Sequence, residues 1–138
     1  MKVRLALALS ALLITATAAA TAELQGTWMS GDTHVRMSPC GNAMCGKIVW
    51  LRRPLDESGK PRNDTLNPDA SKRKRPMMGL QVASLRPDKS GTWSGTVYNA
   101  DEGKSFNVSV KVDNEKQATI KGCVLGVVCK NVAWTRVD

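Results

Sequence analysis

The chain of 138 residues carries twenty basic and twelve acidic side chains, four cysteines and a single histidine. Beyond its leader no apolar stretch approaches the ~20 residues that a helix needs to cross a bilayer, which excludes a helical membrane span. One histidine, with no base placed beside a nucleophile, gives no triad logic.

Lys2 and Arg4 open the chain, Leu5 to Ala20 is an apolar run broken only by small hydroxyl residues, and Ala20-Thr21-Ala22 is a small-x-small site. That pattern predicts a secretory signal peptide over residues 1–22. The mature chain, Glu23 to Asp138, is then one small domain, with eighteen basic residues against twelve acidic, about +6. Such an excess suits attraction to an anionic polymer, and equally a soluble basic protein without one. In an exported chain, expected in the periplasm, cysteines default to disulfides. Cys-x4-Cys and Cys-x5-Cys are poor matches to zinc-ligand spacing, so no metal is expected.

Leu24 to Ser30 opens the domain, and Gly31-Asp32 is a turn signal. His34 to Ser38 alternates, Pro39 to Gly46 is a cysteine-bracketed turn, and Lys47 to Leu51 is a third strand. The pattern then breaks. Arg52 to Gly79 holds four of the six prolines, a basic run from Lys72 to Arg75 and scattered carboxylates. Asn67-Pro68 predicts a helix N-cap, with a short helix to about Arg73 ended by Pro76. From Met77 alternation resumes, with Met78, Leu80 and Val82 on one face. Strands over Thr92–Asn99, Lys104–Val112, Gln117–Gly122 and Lys130–Val137 follow, the last with Val132, Trp134 and Arg136 on one face.

Eight half-buried strands joined by turns predict an all-β, antiparallel up-and-down barrel with one long loop carrying a short helix. If the first strand runs up, Arg52–Gly79 and the Cys123–Cys129 loop lie at the top and the Cys40–Cys45 loop lies at the bottom. Cross-paired disulfides would span the barrel, beyond their reach, so Cys40–Cys45 and Cys123–Cys129 are the expected pairs. Trp28 and Arg136 both fall at the bottom, where closure of the first strand on the last places the guanidinium on the indole.

Gly26-Thr27-Trp28 with Arg136 resembles the closure signature of lipocalin-like (calycin) barrels. A second resemblance covers nearly all of the mature chain, to a family of uncharacterised exported bacterial proteins known as domain of unknown function family 2147. It is carried by Cys40 to Gly46, Pro54-Leu55-Asp56, Gly59-Lys60-Pro61, Asp64, Asn67-Pro68, Arg73 to Pro76, Gly79, Tyr98-Asn99, Gly103-Lys104 and Trp134-Thr135-Arg136. Ala100 stands where the family pattern has proline, and Phe106 where it has tyrosine. The resemblance implies an exported barrel and brings no activity or catalytic residues.

Asp56, Asp64 and Asp69 lack the spacing of a calcium loop and read as turn formers or partners of nearby Arg and Lys. Arg73 and Arg75, fixed by Pro76 and Gly79, either meet an anion or tie the long loop to the rim through Asp56 or Asp64. Trp50, Trp93 and Trp134 either line a pocket or fill the core. The resulting expectation is a non-enzymatic binding protein without cofactor, taking a small, partly apolar molecule under the long loop. Trp50, Arg73, Arg75, Met78, Trp93 and Phe106 are its candidate contacts. The alternative is a basic structural protein of the envelope that contacts an anionic polymer or partner. Nucleic acid is a poor partner, because no aromatic residues interleave the basic run.

Overall fold

The computed structural model describes residues 23–88, 91–124 and 128–138, Val124 by its backbone alone; the predicted signal peptide lies outside them, as do the tips of two turns. Eight strands form one closed antiparallel barrel in chain order: β1 Gly26–Ser30, β2 Thr33–Cys40, β3 Ala43–Leu51, β4 Gln81–Pro87, β5 Trp93–Asn99, β6 Lys104–Val112, β7 Gln117–Val124 and β8 Val128–Arg136. The expected architecture holds, and each strand overlaps its predicted span. The main difference is at the cysteines. Pro39 to Gly46 is not a wide turn: β2 runs to Cys40 and β3 starts at Ala43, leaving Gly41-Asn42 as a tight turn. Gly41 there has φ 62°, in the left-handed region that a glycine adopts without strain.

The disulfides are Cys40–Cys45 across the β2–β3 hairpin and Cys123–Cys129 across β7–β8, as topology required. The inner face follows from register, since residues directly opposite each other share a face. Trp28, Val35 and Ile48 form one such row, and Trp93, Val110, Ile120 and Val132 another. Leu24, Trp28, Met37, Leu85, Val110, Ala118 and Trp134 are buried and fill the lower interior.

Three local features overturn expected side-chain placements. A bulge between His34 and Val35 puts Ile48 opposite Val35 and Trp50 opposite His34, so Val49 is the extra residue. Trp50 therefore lies outside the barrel, 41% exposed, with its ring 4.3 Å from that of His34. Second, Met77 rather than Met78 is buried. Gly79, at φ 82°, makes Met77 to Leu80 a turn closed by a Leu80 amide to Met77 carbonyl bond, so strand alternation does not apply there. Third, register shifts again between Gly46 and Lys47 with Val82 as the extra residue of β4, so against strict alternation Ala83 and Leu85 are buried as well as the expected Leu80 and Val82.

The closure is built as predicted and is narrow. Among the described residues Trp28–Arg136 and Met29–Thr135 pair β1 with β8, and just beyond them the Val137 amide donates to the Thr27 carbonyl and the Thr27 amide to the Asp138 carboxylate, each at 2.9 Å. The Arg136 guanidinium lies 4.2 Å from the centre of the Trp28 ring. It donates to the carbonyls of Glu115, Gln25 and Glu23, while the Trp28 indole N–H donates to the Leu24 carbonyl at 2.9 Å. β8 continues upward past the end of β1, so the β7–β8 hairpin rises beyond its neighbour, stapled by Cys123–Cys129.

Candidate functional site

The Arg52–Gly79 connection is an ordered lid, because its backbone polar groups find partners inside it. Two nested ladders form it, with isolated bridges Leu55–Pro61 and Asn63–Pro76. The amide of Arg62 donates to the Pro54 carbonyl at 3.0 Å, Asp64 to Arg75 at 2.8 Å and Met77 to Arg62 at 3.0 Å. Asp56 closes one turn by accepting from the Ser58 hydroxyl and amide and the Lys60 amide. The predicted helix shrinks to a single 3-10 turn, Ala70–Lys72, capped by Asp69 and not by Asn67. Asn67 instead accepts from the Asp69 amide at 2.9 Å, an Asx turn that competes with helix formation at this site.

At the lid's centre Asp64 has no solvent exposure. Its Oδ1 accepts from the Tyr98 hydroxyl at 2.6 Å, and its Oδ2 accepts from the Asn67 amide at 2.8 Å and the Arg75 guanidinium at 3.1 Å. Burial pushes this carboxyl up, but the bonds from Tyr98, Asn67 and Arg75 outweigh it and hold Asp64 below its ordinary value. Asp64 therefore latches the lid to β5, as a charged group fully satisfied by its neighbours. Other ties reinforce it. Arg52 pairs with Asp32 at 2.8 Å, Arg62 with Asp101 at 2.7 Å, and a Cβ on Gly103 would lie 2.0 Å from the Leu66 carbonyl oxygen.

Tyr98 reports on the latch. Its burial first, then the bond to Asp64 and the charge behind it, push the phenol up to about 12. The neutral phenol is the favoured form in the fold, so its contribution is complete below the ordinary value of about 10 and is lost as pH rises toward 12. Tyr98 is the one tyrosine of the chain, so phenolate absorbance reads it alone. The expected midpoint is close to 12, or coincident with alkaline unfolding. A midpoint near the free value of about 10 in folded protein would show that the latch does not form.

Among the described residues, the lid's hydrogen bonds and ion pairs reach the β1–β2 turn, β3, β5 and the β5–β6 turn, and none reaches β7 or β8. The wall it leaves uncovered differs from the packed lower core. Val97 and Phe106 on the inner face are half-buried, and Val132 is 40% exposed although it shares a face with buried Trp134 and Ile120. Lys130, two residues further up β8, shares that face and is exposed. It stands opposite Gly122, which places no side chain between it and Val108 and Phe106. A separate concavity of about 530 Å³ lies at the closed end, between Glu23, Val112, Asp113, Asn114, Glu115 and Arg136. Its Arg136 is already committed to closure.

The predicted contacts therefore scatter. Phe106 lies on the reachable inner wall. Trp93 is buried in the lower core and Trp134 beside it, so both are packing. Trp50 and Met78 are outside the interior. Arg75 ties to Asp64, and Arg73 donates to the Asn67 carbonyl at 2.8 Å, so both arginines hold the lid together. Lys130 was not singled out from sequence, although extending the Val132–Trp134–Arg136 alternation by one step reaches it.

Among curated proteins none matches the sequence. A solved structure from Helicobacter pylori, protein HP1028, described as belonging to the lipocalin family, is similar with a TM-score of 0.67. It is 20% identical, over 83% of each chain. At that identity the likeness concerns the fold, an eight-stranded lipocalin-like barrel. Over residues 26–136, which take in every strand, the closure pair and the latch, the chain belongs to the family described as "Uncharacterized protein conserved in bacteria (DUF2147)".

Proposed function

We propose that this is an exported, periplasmic and non-enzymatic barrel protein that holds a small, partly apolar ligand at its upper end. The ligand lies on the inner wall of β5–β8, between the latched lid and the Cys123–Cys129 hairpin. One observation carries the reading. Val97, Phe106 and Val132 remain reachable on an inner face whose lower layers are packed, and an apolar wall with few polar groups is what small-molecule sites use. The lipocalin-like fold supports it by supplying a barrel that can act as a container. Two disulfides support an oxidising compartment, and the leader over residues 1–22 is the proposed export signal.

The mature protein should raise the emission of the neutral fluorophore N-phenyl-1-naphthylamine saturably. Val132→Asp and Phe106→Asp should each weaken that binding about tenfold or more by setting a carboxylate on an apolar wall. Absence of saturable binding, or binding indifferent to both substitutions in folded protein, would reject the reading.

A second reading, contact with an anionic envelope polymer, draws on the basic run. Arg73 and Arg75 are turned into the lid, while Lys72 and Lys74 are exposed and have no ion pair among the described residues. Retention on an anionic matrix that falls with salt, and falls further when both lysines are neutralised, would favour it.

A further inference from the structure

We infer that the ligand carries one anionic head group, received by Lys130 with Lys104 at the rim, and an apolar tail laid along Phe106, Val97 and Val132. The inference rests on the binding reading above and specifies its chemistry. Register puts both lysines on the inner face: Gly122 is opposite Lys130 and Val108 opposite Gly122, while Lys104 faces Asn99 one step above the Val97–Phe106 pair. No carboxylate occupies the inner face of β5, β6, β7 or β8 among the described residues. Three acids near the lid are held by arginines: Asp32 by Arg52, Asp101 by Arg62 and Asp64 by Arg75. Lys130 and Lys104 have no ion pair among the described residues. The exposed upper wall is therefore apolar with a positive end. Gly122 leaves the lysine room, because a Cβ there would meet only Val108 and Phe106 at 3.6 and 3.9 Å. A neutral ligand would leave this charge unused, and a cationic one would be repelled by it.

An inward charge on an unpaired strand also guards a sheet edge against pairing with another chain, and β8 above Thr135 has no β1 partner among the described residues. The experiment separates the two roles. N-phenyl-1-naphthylamine bound to the mature protein is displaced in turn by dodecanoate, dodecanol and dodecyltrimethylammonium, which share a tail and differ in head charge. Dodecanoate should displace it at about one-tenth the concentration of dodecanol, the gap between a charge-assisted and a neutral hydrogen bond, and the cation should be weakest. Lys130→Met should bring the acid-to-alcohol ratio to about one, and Lys130→Arg should preserve it. Equal displacement by all three, or an unchanged ratio in Lys130→Met, overturns the inference while leaving ligand binding in place. An unchanged ratio together with self-association of Lys130→Met assigns the lysine to edge protection and overturns it equally. Failure of the fluorophore to bind at all rejects the underlying reading, and this one with it.

Discussion

Asp64→Ala should release the lid. The substitution strips Tyr98, Asn67 and Arg75 of a shared acceptor at a site with no solvent exposure. Breaking a buried pair by removing one partner costs about 3–5 kcal/mol, most of it from the group left behind. Here the fold has a cheaper response. The Arg75 side chain is 43% exposed, and the lid's own ladders do not run through the barrel, so water can reach the stranded donors once the lid swings away. Local opening should therefore exceed global destabilisation. Amide exchange at Arg62, Asp64 and Met77, whose N–H groups hold the lid ladders, should accelerate by orders of magnitude, while Val110 and Ile120 in the core change little. Asp64→Asn keeps the shape but turns one acceptor into a donor facing another donor, so a substantial fraction of the effect should remain. A double-mutant cycle with Tyr98→Phe should be non-additive, because both single changes remove one bond. Unchanged exchange in the lid of Asp64→Ala would mean that the loop is held without the latch, by its backbone ladders and its other ion pairs.

The same latch gives an acid limit. Because Asp64 is held below its ordinary value in the fold, its contribution is present above the unfolded carboxyl pKa of about 3.9 and is lost as pH falls through the lower folded value. With Tyr98 failing between about 10 and 12, the lid is fastened across the whole neutral range. Titration therefore does not undo the latch near neutrality, and on the proposed reading a ligand would reach the upper wall past β8, which the lid's bonds do not touch among the described residues.

The barrel was legible because its strands bury one face, and period-two alternation survives in sequence wherever a strand is regular. Cys pairing followed from topology alone. The failures all lie where regularity breaks. Ile48-Val49-Trp50 is apolar throughout, so nothing in it marks Val49 as a bulge or turns Trp50 outward. Met77-Met78 offers two equivalent side chains, and the choice between them is made by Gly79 turning the chain. Asn67-Pro68 has the chemistry of an N-cap, yet Asp69, two residues on, offers a cap that also closes on Ser71. The tie between the basic run and Asp64 was among the expectations. Tyr98 as its third partner was not, because nothing local in β5 links it to a loop 34 residues away. Lys130 was hidden for the opposite reason: an exposed lysine looks ordinary until register shows that it faces inward.

The closure should be the most sensitive point of the barrel. Among the described residues two pairs and the Val137 amide on the Thr27 carbonyl join β1 to the end of β8, a short ladder to which the bond from the Thr27 amide to Asp138 and the side chains of Trp28 and Arg136 add. Trp28 has no solvent exposure, and Trp28→Ala should destabilise by about 3–5 kcal/mol through lost burial and the cavity left behind. Trp28→Phe keeps much of the volume but loses the bond to the Leu24 carbonyl, which should cost about 1 kcal/mol on that account, besides the packing it loosens. Arg136→Ala removes the stacked cation and strands the carbonyls of Glu115, Gln25 and Glu23 near the surface, where water replaces much of what is lost. Arg136→Lys should not rescue it, since an ammonium cannot stack flat on the ring and reach three carbonyls with a planar fork. The decisive measurement is the coupling between the two residues in chemical denaturation. A guanidinium 4.2 Å from the ring centre and partly shielded from water should give about 0.5–2 kcal/mol of non-additivity. Additivity within about 0.3 kcal/mol would show that ring and guanidinium act independently and that Trp28 supports the seam by its burial and not by the stacked cation.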